Sequence, residues 1–135
     1  MDAFGAEGNG EFVLINLIST KELTSLINLD VDVVSFYKYE AHITLGNGNR
    51  LSFSCPFSFF GSTEDSSGVI SNFPLLESKL LRVLGFQITM ISLNADGTIE
   101  MEFSNGDHLI LFSNNHQYEN YSLFVDGVEY FEESK

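Results

Sequence analysis

Few residues in this chain could do chemistry, and they are scattered. Cys55 is the single cysteine. It stands in phase with Leu51, Phe53 and Phe57, so it reads as a small buried hydrophobe and not as a nucleophile. No helix start or basic neighbour in sequence would lower its pKa. His42, His108 and His116 match no zinc spacing, and one cysteine cannot complete a set. Ser92 to Phe103 has the outline of a calcium loop, with Asn94, Asp96 and Gly97 in register. Its first ligand position would be Ser92 and its closing position Phe103, so a hairpin turn explains Asp96-Gly97 better. Glu100 and Glu102 share one face of a strand. Acid–base work by two carboxylates requires a cleft that pushes their pKa values apart, and nothing here implies one. No phosphate loop, nucleophile elbow or Cys/His dyad is present. The expectation is a protein without enzymatic activity, metal or cofactor.

Charge is the stronger signal. Nineteen acidic residues face six basic ones, for a net charge of −13. Val83 to Ser134 holds nine of the acids and no Lys or Arg. Such a field repels nucleic acid and anionic membranes and attracts basic surfaces. In the same stretch tyrosines alternate with acids: Tyr118, Glu119, Tyr121, then Asp126, Glu129, Tyr130, Glu132 and Glu133. Tyrosine supplies rigid contact area with a polar tip, and carboxylates steer a basic partner. The expected partner surface is Glu64, Asp65, Asp107, Glu119, Asp126, Glu129, Glu132 and Glu133, with Tyr118 and Tyr130 as anchors.

The elements that carry these residues can be read from periodicity. At 135 residues and 44% hydrophobic the chain suits one domain with a true core. Residues 1–10 are Gly-rich and expected to fray, leaving 11–135 as a single β-rich domain. Glu11 to Ile18 reads as a strand. Ser19 and Glu22 have capping-box spacing ahead of a short helix that ends near Asn28. Strands are predicted at Val31–Lys38, Ala41–Gly46 and Arg50–Phe59, the last two joined by an Asn47-Gly48 turn. Gly61 to Gly68 reads as a mobile loop. A second helix is predicted from Pro74, with Leu76, Leu80 and Leu84 on one face and Gly85 at its end. Strands follow at Phe86–Leu93, Thr98–Ser104, His108–Ser113, Tyr121–Val125 and Val128–Phe131. The expected fold is mainly β, an antiparallel sandwich or partly open barrel with two short helices.

A helix-plus-meander unit recurs. Ile43-x-Leu45-x-Asn47-Gly48-x-x-Leu51 matches Met101-x-Phe103-x-Asn105-Gly106-x-x-Leu109. Leu29 and Val33 align with Leu84 and Ile88, leaving an insertion at Asp96-Gly97.

The Gly46-Asn47-Gly48 and Ser104-Asn105-Gly106 turns, Pro56-Phe57, the Leu80-to-Gly85 helix end and Tyr118-Glu119-x-Tyr121 resemble small bacterial β-rich domains found beside polymorphic toxins. In size, acidity and lack of catalytic residues the chain is similar to contact-dependent growth-inhibition immunity proteins. That resemblance implies a cytoplasmic inhibitor that covers the active site of a basic toxin domain, a nuclease by preference. It assigns no binding residue. The alternative is a small-ligand or carbohydrate-binding β module. The lack of Trp counts against it, and a large Phe-lined cavity would count for it. No apolar run is long enough to span a membrane and no secretory signal is evident, so the cytoplasm is the expected compartment.

Overall fold

The structure is a computed structural model that describes residues 11–65, 68–71, 73, 75, 78–113 and 120–132. The segment 1–10 therefore lies outside the described residues. Among the described residues ten strands form two sheets. The larger contains β1 (Glu11–Leu14), β2 (Val31–Phe36), β3 (Ala41–Leu45), β4 (Arg50–Phe53), β9 (Tyr121–Val125) and β10 (Val128–Phe131), in the order β1-β10-β9-β4-β3-β2. The smaller contains β5 (Phe57–Phe60), β6 (Ile88–Leu93), β7 (Ile99–Phe103) and β8 (His108–Leu111), in the order β5-β8-β7-β6. All pairings are antiparallel except β1 with β10. The arrangement is sandwich-like and is not a closed barrel.

Period-two alternation places the core between the sheets. Ile43, Leu51 and Leu123 line up across β3, β4 and β9, and Ile99 and Leu111 pair across β7 and β8. All five are buried. Phe53 and Phe57 meet edge to face at 5.1 Å in this core, and Cys55 between them is fully buried. Edge-to-face rings set the positive rim of one against the negative face of the other.

The predicted strand Arg50–Phe59 is in fact two strands in different sheets. Pro56 has no N–H to give a ladder, so pairing stops there. The corner is held from both sides. Ser54 N–H donates to the Asn120 carbonyl at 2.8 Å, and Phe112 N–H donates to the Pro56 carbonyl at 3.0 Å. The predicted strand Glu11–Ile18 is likewise shorter, because Ile15–Leu17 turns into a 3-10 helix.

The capping box forms. Glu22 N–H donates to Ser19 Oγ and Ser19 N–H to Glu22 Oε1, each at 3.0 Å, opening α1 (Thr20–Thr24). The second predicted helix is a 3-10 turn at Lys79–Val83. A 3-10 turn repeats every three residues. Hence Leu80 and Val83 are buried, while Leu84, expected on the inner face, is 49% exposed. Leu76 and Pro74 lie outside the described residues. Gly85 ends the turn at φ +85°, the left-handed geometry expected of it.

The two meanders make the same contacts. β2 meets β3 with Val31 opposite Leu45 and a bulge before Val33; β6 meets β7 with Ile88 opposite Phe103 and a bulge before Met90. Ile88 thus stands where Val31 stands, not Val33 as the sequence alignment has it. Asn28 N–H donates to the Ile88 carbonyl and Gly85 N–H to the Val31 carbonyl. Val31 N–H donates to the Phe86 carbonyl and Ile88 N–H to the Leu29 carbonyl. The fourth strand of each set comes from the other: β5 follows β4 but pairs with β8, and β9 follows β8 but pairs with β4.

Candidate protein-binding surface

The expected surface residues fall into two separate places. Glu64, Asp65 and Asp107 lie at one end of the smaller sheet. Asp126, Glu129, Tyr130 and Glu132 lie on the β9–β10 hairpin of the larger one. Tyr118, Glu119 and Glu133 lie outside the described residues.

The first group is organised by Arg82. Its guanidinium donates from Nη2 to Asp107 Oδ1 and Glu64 Oε1, each at 2.9 Å, and sits 5.2 Å from the Phe59 ring centroid. Lys79 Nζ adds a bond to Glu64 Oε2 at 3.2 Å, and Gly61 N–H donates to Glu64 Oε1 at 2.7 Å. The Arg82 bonds, the Gly61 amide and Lys79 hold the Glu64 carboxyl down at about 2. Asn105 Nδ2 donates to Asp107 Oδ2 at 2.8 Å, and Asp107 is only 4% exposed. Asp107 therefore offers no carboxylate to a partner, contrary to the sequence expectation. Its charge is balanced inside the protein, because an unpaired buried charge is costly. The same bonds fasten the described part of the loop read from sequence as mobile. Asp65 is exposed.

The hairpin group is different. Tyr130 was expected as an exposed anchor but is 4% exposed, because its position in β10 faces inward beside Leu123. Its hydroxyl is hydrogen-bonded to the Glu22 carboxylate. Burial first, then Glu22 and the charges of Glu11 and Asp126, push the phenol up to about 12. Asp126 caps the β9–β10 turn at φ +50°, and its N–H donates to Asn49 Oδ1 at 3.0 Å. Glu132 is half-buried at the far end of the hairpin; desolvation raises its carboxyl pKa, partly offset by a bond to Ser113.

Glu129 faces outward, and its neighbours form a row across the larger sheet. Phe12 pairs with Glu129, Glu129 with Phe124, and Phe124 with Arg50. Phe12 is 73% exposed. The Arg50 guanidinium lies 5.5 Å from the Phe124 centroid and its Nε donates to Ser52 Oγ. Among the described residues Glu11, Asp126 and Glu129 form no ion pair. One edge of the sheet thus presents an exposed aromatic ring amid unneutralised carboxylates. Sequence reasoning missed Phe12 and Glu11. The signal was the alternation Glu11-Phe12-Val13-Leu14, where Val13 packs on the core and Phe12 must point away.

The remaining candidates are structural in their contacts. His42 lies 3.1 Å from Glu40 and packs on the Tyr37 ring; His108 lies 3.5 Å from Glu102 and stacks on Phe60. His116 lies outside the described residues. Asp96 accepts from Thr98 N–H, and Gly97 completes the hairpin at φ +88°. Among the described residues no three His, Cys, Asp or Glu side chains converge as a metal site would require. No helix among them is long and apolar enough to cross a membrane. A core cavity lined by Leu26, Ile43, Met101 and Leu123 has a volume of about 10 Å³. That is room for roughly one water and not for a ligand.

The chain matches no protein-family model, no curated protein and no solved structure.

Proposed function

We propose that this protein is an acidic binding domain that caps the basic surface of a partner protein, in the manner of a bacterial immunity protein acting on a toxin domain in the cytoplasm. The observation that carries this reading is the β1–β10 edge, where exposed Phe12 lies directly beside Glu129. Glu11 and Asp126 lie at the same edge and lack counter-charges among the described residues. An aromatic anchor with a rim of carboxylates suits a cationic protein surface, where the ring sets lifetime and the charges set approach. Nuclease domains hold phosphates with cationic side chains, so a carboxylate edge is complementary to them. The net charge of −13 favours the same class of partner.

We also read the two meanders as copies of one unit. Their matching bulges and reciprocal hydrogen bonds support this.

The test is to identify the protein encoded immediately upstream, express its C-terminal domain, and measure binding to it by stopped-flow across a salt series. A one-to-one complex whose association rate falls steeply with salt is expected. Failure to form a complex, or a rate indifferent to salt, rejects the proposal.

A further inference from the structure

A sheet edge presents unpaired N–H and C=O groups that template an added strand, and proteins usually block such edges. Among the described residues three of the four edges here are covered or interrupted. β2 and β6 are each broken by a bulge and share the Asp30–Gln87 bridge. β5 is covered by residue 70: Phe57 N–H donates to the Ile70 carbonyl at 2.9 Å, and Ile70 N–H returns a bond at 2.7 Å. The fourth edge, β1, is bare among the described residues. Its sequence Glu11-Phe12-Val13-Leu14 contains no Lys, Pro or Gly, its pairing with β10 carries no bulge, and no bridge reaches it from its outer side.

We infer that β1 is the place where the partner adds an extended, basic strand to the larger sheet. The chemistry of the occupant follows from the charges around that edge. Glu11 lies in β1 itself, Glu129 stands beside Phe12 in β10, and Asp126 and Glu22 act on the same end of the sheet through Tyr130. A strand whose side chains alternate between Lys or Arg and apolar residues would meet Glu11 with its charges on one face of the sheet and Phe12 with its apolar groups on the other. Main-chain bonds would give affinity and the alternate side chains selectivity. A second copy of this chain is a poor occupant, because it would bring like charges together at −13 per chain. This inference rests on the reading of the protein as a binder of cationic partners.

The experiment is amide hydrogen exchange on the intact protein with two probes. One is a decapeptide of alternating Lys and Val. The other is a decapeptide of equal charge in which Pro replaces Val, so that it cannot form a ladder. Strand addition requires binding of the first peptide, with exchange at the Glu11–Leu14 amides slowed roughly ten-fold or more, and little effect from the second. Phe12→Lys, at an exposed position that does not threaten the fold, should abolish the protection. If both peptides bind equally without protecting β1, strand addition is overturned while the cationic reading stands. If neither binds, both fall. Protection of β1 that grows with protein concentration alone would make a second copy the occupant and overturn the inference as stated.

Discussion

Asp30 and Gln87 face each other where the two sheets meet: their backbones form an antiparallel bridge, and Gln87 Nε2 donates to Asp30 Oδ1 at 3.0 Å. On either side of this bridge stand counterparts from the two meanders. Gly46 N–H donates to the Asp30 carbonyl at 2.9 Å, as Ser104 N–H donates to the Gln87 carbonyl at 2.7 Å. The bonds on the two sides of the pair correspond, so a change in one meander can be compared with the same change in the other.

The left-handed residues give the first such comparison. Asn28 (φ +73°) and Gly85 (φ +85°) hold matching places before β2 and β6. Asn tolerates this region and Ala does not. Gly85→Ala should lower unfolding free energy by about 1–2 kcal/mol, although a Cβ there would touch nothing within 4 Å. Gly85→Asn should cost less, and Asn28→Gly should be close to neutral. Urea unfolding of the three variants checks the order.

Asp107 is the second. Its counterpart in the β3–β4 turn is Asn49, and both are buried. In each turn the preceding Asn accepts from that residue's N–H: Asn47 from Asn49 at 3.1 Å and Asn105 from Asp107 at 3.0 Å. Asp107→Asn keeps the turn bond made by its own N–H but replaces one accepting oxygen by an NH2, so it loses the charge and part of the bonding to Arg82 and Asn105. Asp107→Ala removes both acceptor oxygens, leaves the Asn105 amide with only the Arg82 carbonyl, and should cost about 2–3 kcal/mol, measurably more than Asp107→Asn in the same denaturant series.

Two carboxylates should give opposite responses to pH. Glu64 titrates at about 2 in the folded protein, below its ordinary value. Its contribution is therefore present above the unfolded pKa and lost as pH falls toward 2. Glu132 is shifted upward by burial. The folded state then holds its proton more tightly, so this group favours folding at acid pH and opposes it once ionised. Glu132→Gln should raise stability at pH 7, with the gain fading on acidification below the unfolded carboxylate pKa. Glu64→Gln should lower stability at pH 7, with the loss shrinking at low pH. Thermal melts of both variants from pH 7 to pH 3 test the signs.

For the proposed partner, anchor and rim should separate kinetically. Phe12→Ala should speed dissociation, roughly 30-fold for a hot-spot loss of about 2 kcal/mol, with the association rate little changed. Replacing Glu11, Asp126 and Glu129 together by their amides should slow association and flatten its salt dependence. Surface plasmon resonance at two salt concentrations distinguishes the two effects.

Strands and turns were legible in the sequence because they depend on near neighbours. Leu51, Phe53, Cys55 and Phe57 alternate with polar residues, Ser19 and Glu22 satisfy each other three residues apart, and Asn47-Gly48 bends as its φ preference requires. What stayed hidden depends on distant partners. Nothing local states that the chain leaves one sheet at Pro56 and enters the other, or that Tyr121 will lie beside Phe53. Asp107 read as one more exposed acid because its neutralising group, Arg82, is far away in sequence. Tyr130 read as an anchor because tyrosine suits either face of a strand, and only the parity of β10 within the sheet chooses. Phe12 was passed over because a short edge strand offers too few residues for its alternation to stand out.

The exchange of β5 and β9 between the two strand sets bears on how the chain can be made. A ribosome delivers the residues in order, and β4 is complete long before Tyr121–Val125 exists. Until that segment emerges, β4 ends its sheet with an open ladder, and Phe53 has only one flank covered. β5 is in the same position until His108–Leu111 has emerged. The N-terminal half therefore cannot complete its sheet ahead of the C-terminal half, and closure has to wait until Tyr121–Val125 has emerged. Such long-range pairing makes for slow folding. It also leaves unfinished strands exposed during translation, when chaperones have most to protect.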